Sequence, residues 1–221
     1  MDTVRMIEVK EDIHADNNRV AKELNEELTR SKTFLVNLMA SPGAGKTTTL
    51  LATLARIKNE LSVAVIEADI DSKVDAEKIA DSGIEALQIR TGGFCHLDAT
   101  MVKAGLADLD YSRFELIFLE NVGNLVCPAE FETGAHLNAM ILSVPEGDDK
   151  PLKYPLMFSV CQVLLINKID YLQLSDFNLE LFKDRVLAIN PGIAIFEISA
   201  KTGQGIASWT QWLLNRIKEA I

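Results

Sequence analysis

Three kinds of chemistry are legible in short stretches of this chain: phosphate binding, base recognition and soft-metal ligation. The stretch Ala40-Ser41-Pro42-Gly43-Ala44-Gly45-Lys46-Thr47 follows an apolar run and opens a helical pattern. It matches G-x-x-x-x-G-K-[ST] except that Ala40 stands at the first glycine position, where the strand ends. Gly43 and Gly45 let the backbone turn so that successive N–H groups face phosphate oxygens. Lys46 neutralises the β/γ oxygens and the Thr47 hydroxyl binds Mg²⁺, so the expected binding set is Gly43, Ala44, Gly45, Lys46, Thr47 and Thr48. The helix that begins at Lys46 adds its positive end. A plain glycine turn between strand and helix is the simpler alternative, but it leaves the Lys-Thr pair at the helix start unexplained.

A second stretch, VLLINKID, runs from an apolar strand into Asn167, Lys168 and Asp170. The Asp170 carboxylate can accept from the ring N–H and exocyclic amine of guanine together, a donor pair that adenine lacks. Asn167 is expected to brace the surrounding loops, and the Lys168 stem to lie over the base. Ser199-Ala200-Lys201, at the end of a later strand, places a backbone N–H for the guanine O6. Between these segments, FELIFLENVGN puts Glu120 at a strand end as an Mg²⁺ carboxylate and the Gly123 N–H against the γ-phosphate. Asn124 falls where fast GTPases carry a water-orienting Gln, so the catalytic set reads Lys46, Glu120, Gly123 and Asn124, with slow intrinsic hydrolysis. Asp69 and Asp75 could also approach the Mg²⁺, and each is equally well placed to cap a helix.

The third chemistry lies in Cys95-His96 and Cys127. Cys95 and His96 are adjacent in TGGFCHLDA, and Cys127 follows Glu120 by seven residues in a Cys-Pro turn. If both preceding strands flank the phosphate-loop strand, the two loops leave the same sheet edge. Two thiolates and an imidazole suit tetrahedral Zn²⁺, or Ni²⁺ in a square-planar set with one further donor. A cysteine nucleophile with a histidine base is the competing functional reading. Cys161, inside FSVCQVLL, reads as a small buried hydrophobe.

These residues need a scaffold, and the bulk properties allow one. The 221 residues suffice for a large core, and 48% hydrophobic with 24% charged residues is ordinary for a globular protein. A net charge of -10 argues against general binding to nucleic acid or to anionic membrane surfaces. No 18-residue apolar run appears, the Met1-Asp2-Thr3 start shows no signal-peptide core, and three cysteines make no disulfide framework; together these point to the cytoplasm. Unbroken apolar runs predict strands at 33–39, 63–68, 85–90, 115–120, 137–144, 162–167 and 193–198. Helical patterns fall at 46–60, 75–82, 97–108, 176–189 and 205–220. The expected architecture is α/β: a G-domain-like P-loop fold with a mainly parallel sheet and helices on both faces over residues 33–221. Residues 1–32 form an N-terminal extension, with Ile13, Val20, Leu24 and Leu28 at helical spacing within 7–30, packed on the domain or on a second copy.

In wording as well as order, GGFCHLDA, ENVGNLVCPAEFETG, VPEGDDKPLKYP and NKID resemble the hydrogenase nickel-incorporation GTPase family, HypB, over essentially 33–221. The resemblance implies a cytoplasmic GTPase, using GTP/GDP and Mg²⁺, that helps insert nickel into the large subunit of [NiFe]-hydrogenase. It also implies a GTP-dependent homodimer, a small zinc-containing nickel-binding accessory protein as partner, and Ni²⁺ and/or Zn²⁺ at Cys95, His96 and Cys127. Lys153 and Lys73 are basic loop residues that could reach a second copy. Two family features are missing. Residues 1–33 hold no Cys and only His14, so no N-terminal nickel site or storage role is expected. Thr100 stands where some members place a second His, so a dinuclear centre does not carry over. The related urease nickel-insertion GTPase uses a Cys-Pro-His triplet, whereas Ala129 follows Cys127-Pro128 here.

Overall fold

The computed structural model describes residues 10–69 and 74–221. The first nine residues, the Ile13 side chain and the Lys73 loop position therefore lie outside the described part. Seven strands form one parallel sheet: β1 (Phe34–Ala40), β2 (Val63–Asp69), β3 (Glu85–Arg90), β4 (Leu116–Glu120), β5 (Leu137–Ser143), β6 (Val163–Asn167) and β7 (Ala194–Glu197), in the order β3-β2-β4-β1-β5-β6-β7. The long helices are α1 (Lys10–Arg30), α2 (Lys46–Ile57), α3 (Val74–Asp81), α4 (Ala99–Leu109), α8 (Leu179–Ile189) and α9 (Ile206–Ala220). Three short helices intervene: α5 (Cys127–Glu130), α6 (Lys150–Lys153) and α7 (Pro155–Val160).

Each predicted strand is present within one residue at either end. For the central strands the reason is the absence of polar alternation: a strand buried on both faces is apolar at nearly every position. In β1, Val36 and Leu38 pack with α2 and α9, Leu35 packs with α1 and α4, and Met39 packs under α7 and α8. The three short helices escaped the sequence reading. Each has a proline in its first turn and spans less than two turns, too short for any apolar periodicity to register.

Helix α1 lies on the domain itself. Leu24 and Leu28 are buried in one cluster with Leu35, Leu97, Val102 and Leu106. Polar clips fasten it as well. Asn25 Nδ2 donates to the Gly134 carbonyl at 3.1 Å. The Thr29 hydroxyl, which donates to Asn25 O at 2.8 Å, stands 3.0 Å from His136 Nε2. His136 Nδ1 accepts from the Leu35 N–H at 3.1 Å. Both neighbours demand a neutral ring protonated at Nε2, because an Nδ1–H would face the Leu35 N–H head-on.

That arrangement has a pH signature. Burial lowers the His136 pKa below its ordinary value. A group depressed in the folded state contributes fully above its unfolded pKa of about 6.5, and the contribution is lost as pH falls through the folded value. His136→Gln keeps an acceptor and a donor but cannot titrate. Between about pH 7 and 5 its denaturant-melt stability is expected to decline less steeply than the parent's, by at most about 1.4 kcal/mol per pH unit. Carboxylates titrating in the same window are common to both proteins and cancel in the difference. Parallel profiles would show that His136 does not titrate on unfolding.

Candidate functional site

The sheet order places β1 between β4 and β5, so the loops after β1, β4 and β6 gather at one carboxyl edge, where ligands bind parallel sheets. The β1–α2 loop makes its turn through Gly43 (φ +76) and Gly45 (φ +96). Only glycine suits Gly45 for a second reason: an added Cβ would lie 2.5 Å from Asn167 Nδ2. Asn167 is the brace that its position suggested. Its Nδ2 donates to Ala44 O at 2.9 Å and its Oδ1 accepts from the Ala200 N–H at 3.1 Å, tying the phosphate loop to the loop after β7.

Lys168, in the left-handed conformation (φ +61), sends its ammonium to Gly43 O at 2.7 Å, so its stem crosses the pocket mouth. A cavity of about 400 Å³ opens beneath, lined by Gly45, Thr48, Asn167, Asp170, Tyr171 and Lys201 among others. Ser199 N–H is taken by Gln204 O and Ala200 N–H by Asn167, which leaves the Lys201 N–H as the donor available to a base oxygen.

A second cavity of about 380 Å³ adjoins the first and shares Gly45, Thr48 and Lys168 with it. Lys46, Thr47, Glu120, Gly123, Asp69 and Asp75 all line it. The Thr47 hydroxyl donates to Glu120 Oε1 at 2.8 Å, the pairing expected of two groups that share a cation. Gly123 presses on the phosphate loop, since a Cβ there would sit 3.2 Å from the Pro42 backbone N and 3.3 Å from Lys46 Nζ. Glu120 is buried, and that burial pushes its carboxyl up to about 7, against the opposing pull of the Thr47 hydrogen bond and Lys46. A buried carboxylate and hydroxyl beside a lysine fit Mg²⁺, a hard cation taking oxygen donors. Asp75 lies in the first turn of α3, 2.8 Å from Lys78 Nζ, at the cavity rim. It therefore does not cap that helix, and Asp69 ends β2.

The thiolates and imidazole also meet. One donor atom from each of Cys95, His96 and Cys127 lies within 4.8 Å of the other two, and the two sulfurs are 3.0 Å apart. Gly92 (φ +63) and Gly93 (φ +103) turn the chain after β3, and the Thr91 hydroxyl pins the turn by donating to Phe94 O at 2.7 Å. Asp98 then caps α4 through the Met101 N–H at 2.8 Å. Cys127 stands at the first position of α5. The His96 ring stacks on Phe131, centroids 4.0 Å apart. The Cys95 thiol is raised above its ordinary value, chiefly by its hydrogen bond to Cys127. Cys161 is buried in an apolar cluster, and burial alone pushes its thiol up.

A family model described as CobW/HypB/UreG, nucleotide-binding domain, matches residues 34–197. The chain is 43% identical over 209 residues to the hydrogenase maturation factor HypB of Escherichia coli (strain K12), covering 95% of this chain and 72% of that protein. This chain belongs to the HypB family. The solved structure of HypB from Helicobacter pylori in complex with nickel matches with a TM-score of 0.86 at 36% identity, over 92% of this chain and 96% of that one. HypB from Archaeoglobus fulgidus gives the same TM-score of 0.86 at 37% identity, over 92% and 99%. Among the described residues, no helix is long and apolar enough to cross a membrane.

Within this HypB-family site, the structure gives partners on the cysteine loops to Asn124. Its Nδ2 donates to Cys95 O at 3.3 Å and its Oδ1 accepts from the Val126 N–H at 2.9 Å. The Nδ2 contact joins the two cysteine loops, and the Oδ1 contact is local to the loop that carries Asn124.

Other residues of this HypB-family site were given no role in the sequence reading. Tyr171 and Pro145 line the base cavity. Asn17 of α1 clamps the cysteine loops from outside: its Oδ1 accepts from the Ala99 N–H at 2.9 Å and its Nδ2 donates to Glu132 O at 2.9 Å. Asn121 does so from beneath, accepting from the Leu97 N–H at 3.3 Å and donating to Asn37 Oδ1 at 3.0 Å. A lone Asn in a polar helix or after a strand looks like any solvated residue, and only its burial here reveals the clamp. Glu67 was also overlooked, because VIEAD reads as a strand with an edge charge.

Proposed function

We propose that this chain is a GTPase that binds a soft divalent metal, nickel in the first place, and hands it on during hydrogenase maturation. GTP occupies the two adjoining cavities, with Asp170 on the base, Lys46 and the Gly123 N–H on the terminal phosphates, and Thr47 and Glu120 holding Mg²⁺. Bound Mg²⁺ supplies charge neutralisation for the phosphates. Cys95, His96 and Cys127 hold the nickel as cargo, with zinc a competitor for the same thiolates. What supports this reading is the segment 120–127. It carries, in order, Glu120 at Thr47, Gly123 against Lys46, Asn124 on the Cys95 carbonyl, and the ligand Cys127. Eight residues thus connect the γ-phosphate position to the metal.

The chemistry follows from that connection. GTP draws Glu120 and Gly123 toward the phosphates; Asn124 transmits the shift to the Cys95 loop. A tenfold change in metal affinity needs only about 1.4 kcal/mol of difference between nucleotide states. The N-terminal extension 1–32 serves as a brace for the GTPase unit 33–221 through Asn17. Copies of the chain pair in the GTP state, and the partners are the zinc-containing accessory protein and the hydrogenase large subunit, in the cytoplasm.

The test is Ni²⁺ affinity measured with GDP and with a non-hydrolysable GTP analogue. The two are expected to differ by about tenfold in the parent, and Asn124→Ala is expected to bring them within about twofold of each other. Equal affinities in the parent would leave the metal site uncoupled, as a purely structural zinc site would be.

A further inference from the structure

Beneath the phosphate cavity, Glu67 of β2 stands in register with Glu120 of β4. On adjacent parallel strands such partners project from the same face. Both side chains are buried, at 3% and 2% exposure, and both help line the 380 Å³ cavity that holds Thr47 and Lys46. Each also leaves one buried carboxylate oxygen, Oε2, without any hydrogen-bond partner. Two buried acids side by side are costly unless something positive lies between them. Thr47 answers only Glu120 Oε1. Lys46, the cavity's central cation, is the group expected to turn to a phosphate.

We propose that Glu67 is a ligand-bearing carboxylate of the divalent-cation site, and that Glu67, Glu120 and Thr47 together hold a hard divalent cation before any nucleotide arrives. The idea deepens, and rests on, the reading of this cavity as the Mg²⁺–nucleotide site. Oxygen-only donors select Mg²⁺ or Mn²⁺, whereas nickel and zinc partition to the thiolates at Cys95 and Cys127. The chain then keeps two metal sites of opposite softness at one sheet edge, so that the cofactor cation does not compete with the cargo. Metal loading first would present a preformed positive centre to the β- and γ-phosphates.

Mn²⁺ serves as the probe. Its free electron-paramagnetic-resonance signal is titrated against chelator-treated, nucleotide-free protein carrying Cys95→Ser and Cys127→Ser, which silences the thiolate site. One Mn²⁺ per chain is expected to bind, and adding Glu67→Gln is expected to weaken it at least about tenfold. The loss should persist in about 0.5 M KCl, where the Debye length is near 4 Å, because a ligand contact is not screened as a diffuse field is. Glu67→Gln keeps the shape and removes like-charge repulsion, so its metal-free melting temperature should match or exceed the parent's. Glu67→Ala provides a second variant with the same expected loss of Mn²⁺. Undiminished Mn²⁺ binding in both variants overturns the proposal, as does a loss abolished by salt, or a parent that takes up Mn²⁺ only after nucleotide. GDP affinity in the presence of chelator is measured in parallel. Absence of GDP binding there sinks the nucleotide-site reading, whereas normal GDP binding with no Glu67-dependent Mn²⁺ site sinks only this one.

Discussion

Asp170→Asn is expected to lower GDP affinity about 100- to 1,000-fold and to create affinity for xanthosine diphosphate. Asp170 lines the base cavity with Asn167, Tyr171 and Lys201. A carboxylate there accepts from both the guanine ring N–H and the 2-amino group. Hydrogen bonds to a charged acceptor contribute about 1.5–3 kcal/mol each; the asparagine Oδ1 still accepts from the ring N–H, so the cost is about 3–4 kcal/mol, below the full loss of both bonds. The asparagine amide places an N–H₂ donor where the carboxylate oxygen had been, facing the guanine amine donor to donor. Xanthine carries a carbonyl at that position and restores the pairing. The gain makes the experiment decisive, because a misfolded variant would bind neither nucleotide. Fluorescent-nucleotide titrations of parent and variant with both diphosphates provide the measurement. Unchanged GDP affinity in Asp170→Asn would remove the case for guanine.

Cys127→Ala and Cys95→Ala are each expected to weaken Ni²⁺ binding at least about 100-fold. Losing a residue that only supports a metal ligand already costs about 10- to 100-fold in comparable sites, and on the proposed reading these residues supply the ligand atoms themselves. Cys127 is the more informative of the two, because its segment also carries Glu120 and Gly123. The near-ultraviolet thiolate-to-nickel absorption should fall with affinity in both variants. Cys161→Ala is the matched control: that thiol is buried among Met157, Phe158 and Leu164, and its replacement should leave the nickel titration unchanged. Parent-like Ni²⁺ binding in either Cys95→Ala or Cys127→Ala would move the metal to another part of the chain.

Much of this could be reasoned from the residues alone. The central strands announced themselves because β1, β4 and β6 are buried on both faces and so are almost wholly apolar, Asn37 being the one polar residue inside them. The phosphate loop, the Asn-Lys-x-Asp turn and the Cys-His pair were legible because each packs its chemistry into a few consecutive residues. Local chemistry of that kind depends on turn geometry, which nearby glycines reveal. The short helices at Cys127, Lys150 and Pro155 lay below the length at which periodicity speaks.

What only the fold decided is which distant groups share a neighbourhood. Asn124 follows Gly123 and so suggested a water-orienting amide, yet its Nδ2 meets the Cys95 carbonyl, a contact set by how two loops cross. Asn17 sits 115 residues from Glu132 and 82 from Ala99, and no spacing rule links them. Glu67 meets Glu120 only because β4 inserts between β1 and β2 in the sheet. Sequence therefore determined the inventory: a glycine loop with its Lys-Thr pair, the Asn-Lys-x-Asp turn, two thiols and an imidazole, on a parallel sheet. Strand order determined the couplings among them, because hydrogen bonds and ligand fields act over a few ångströms in space, however many residues separate the groups along the chain.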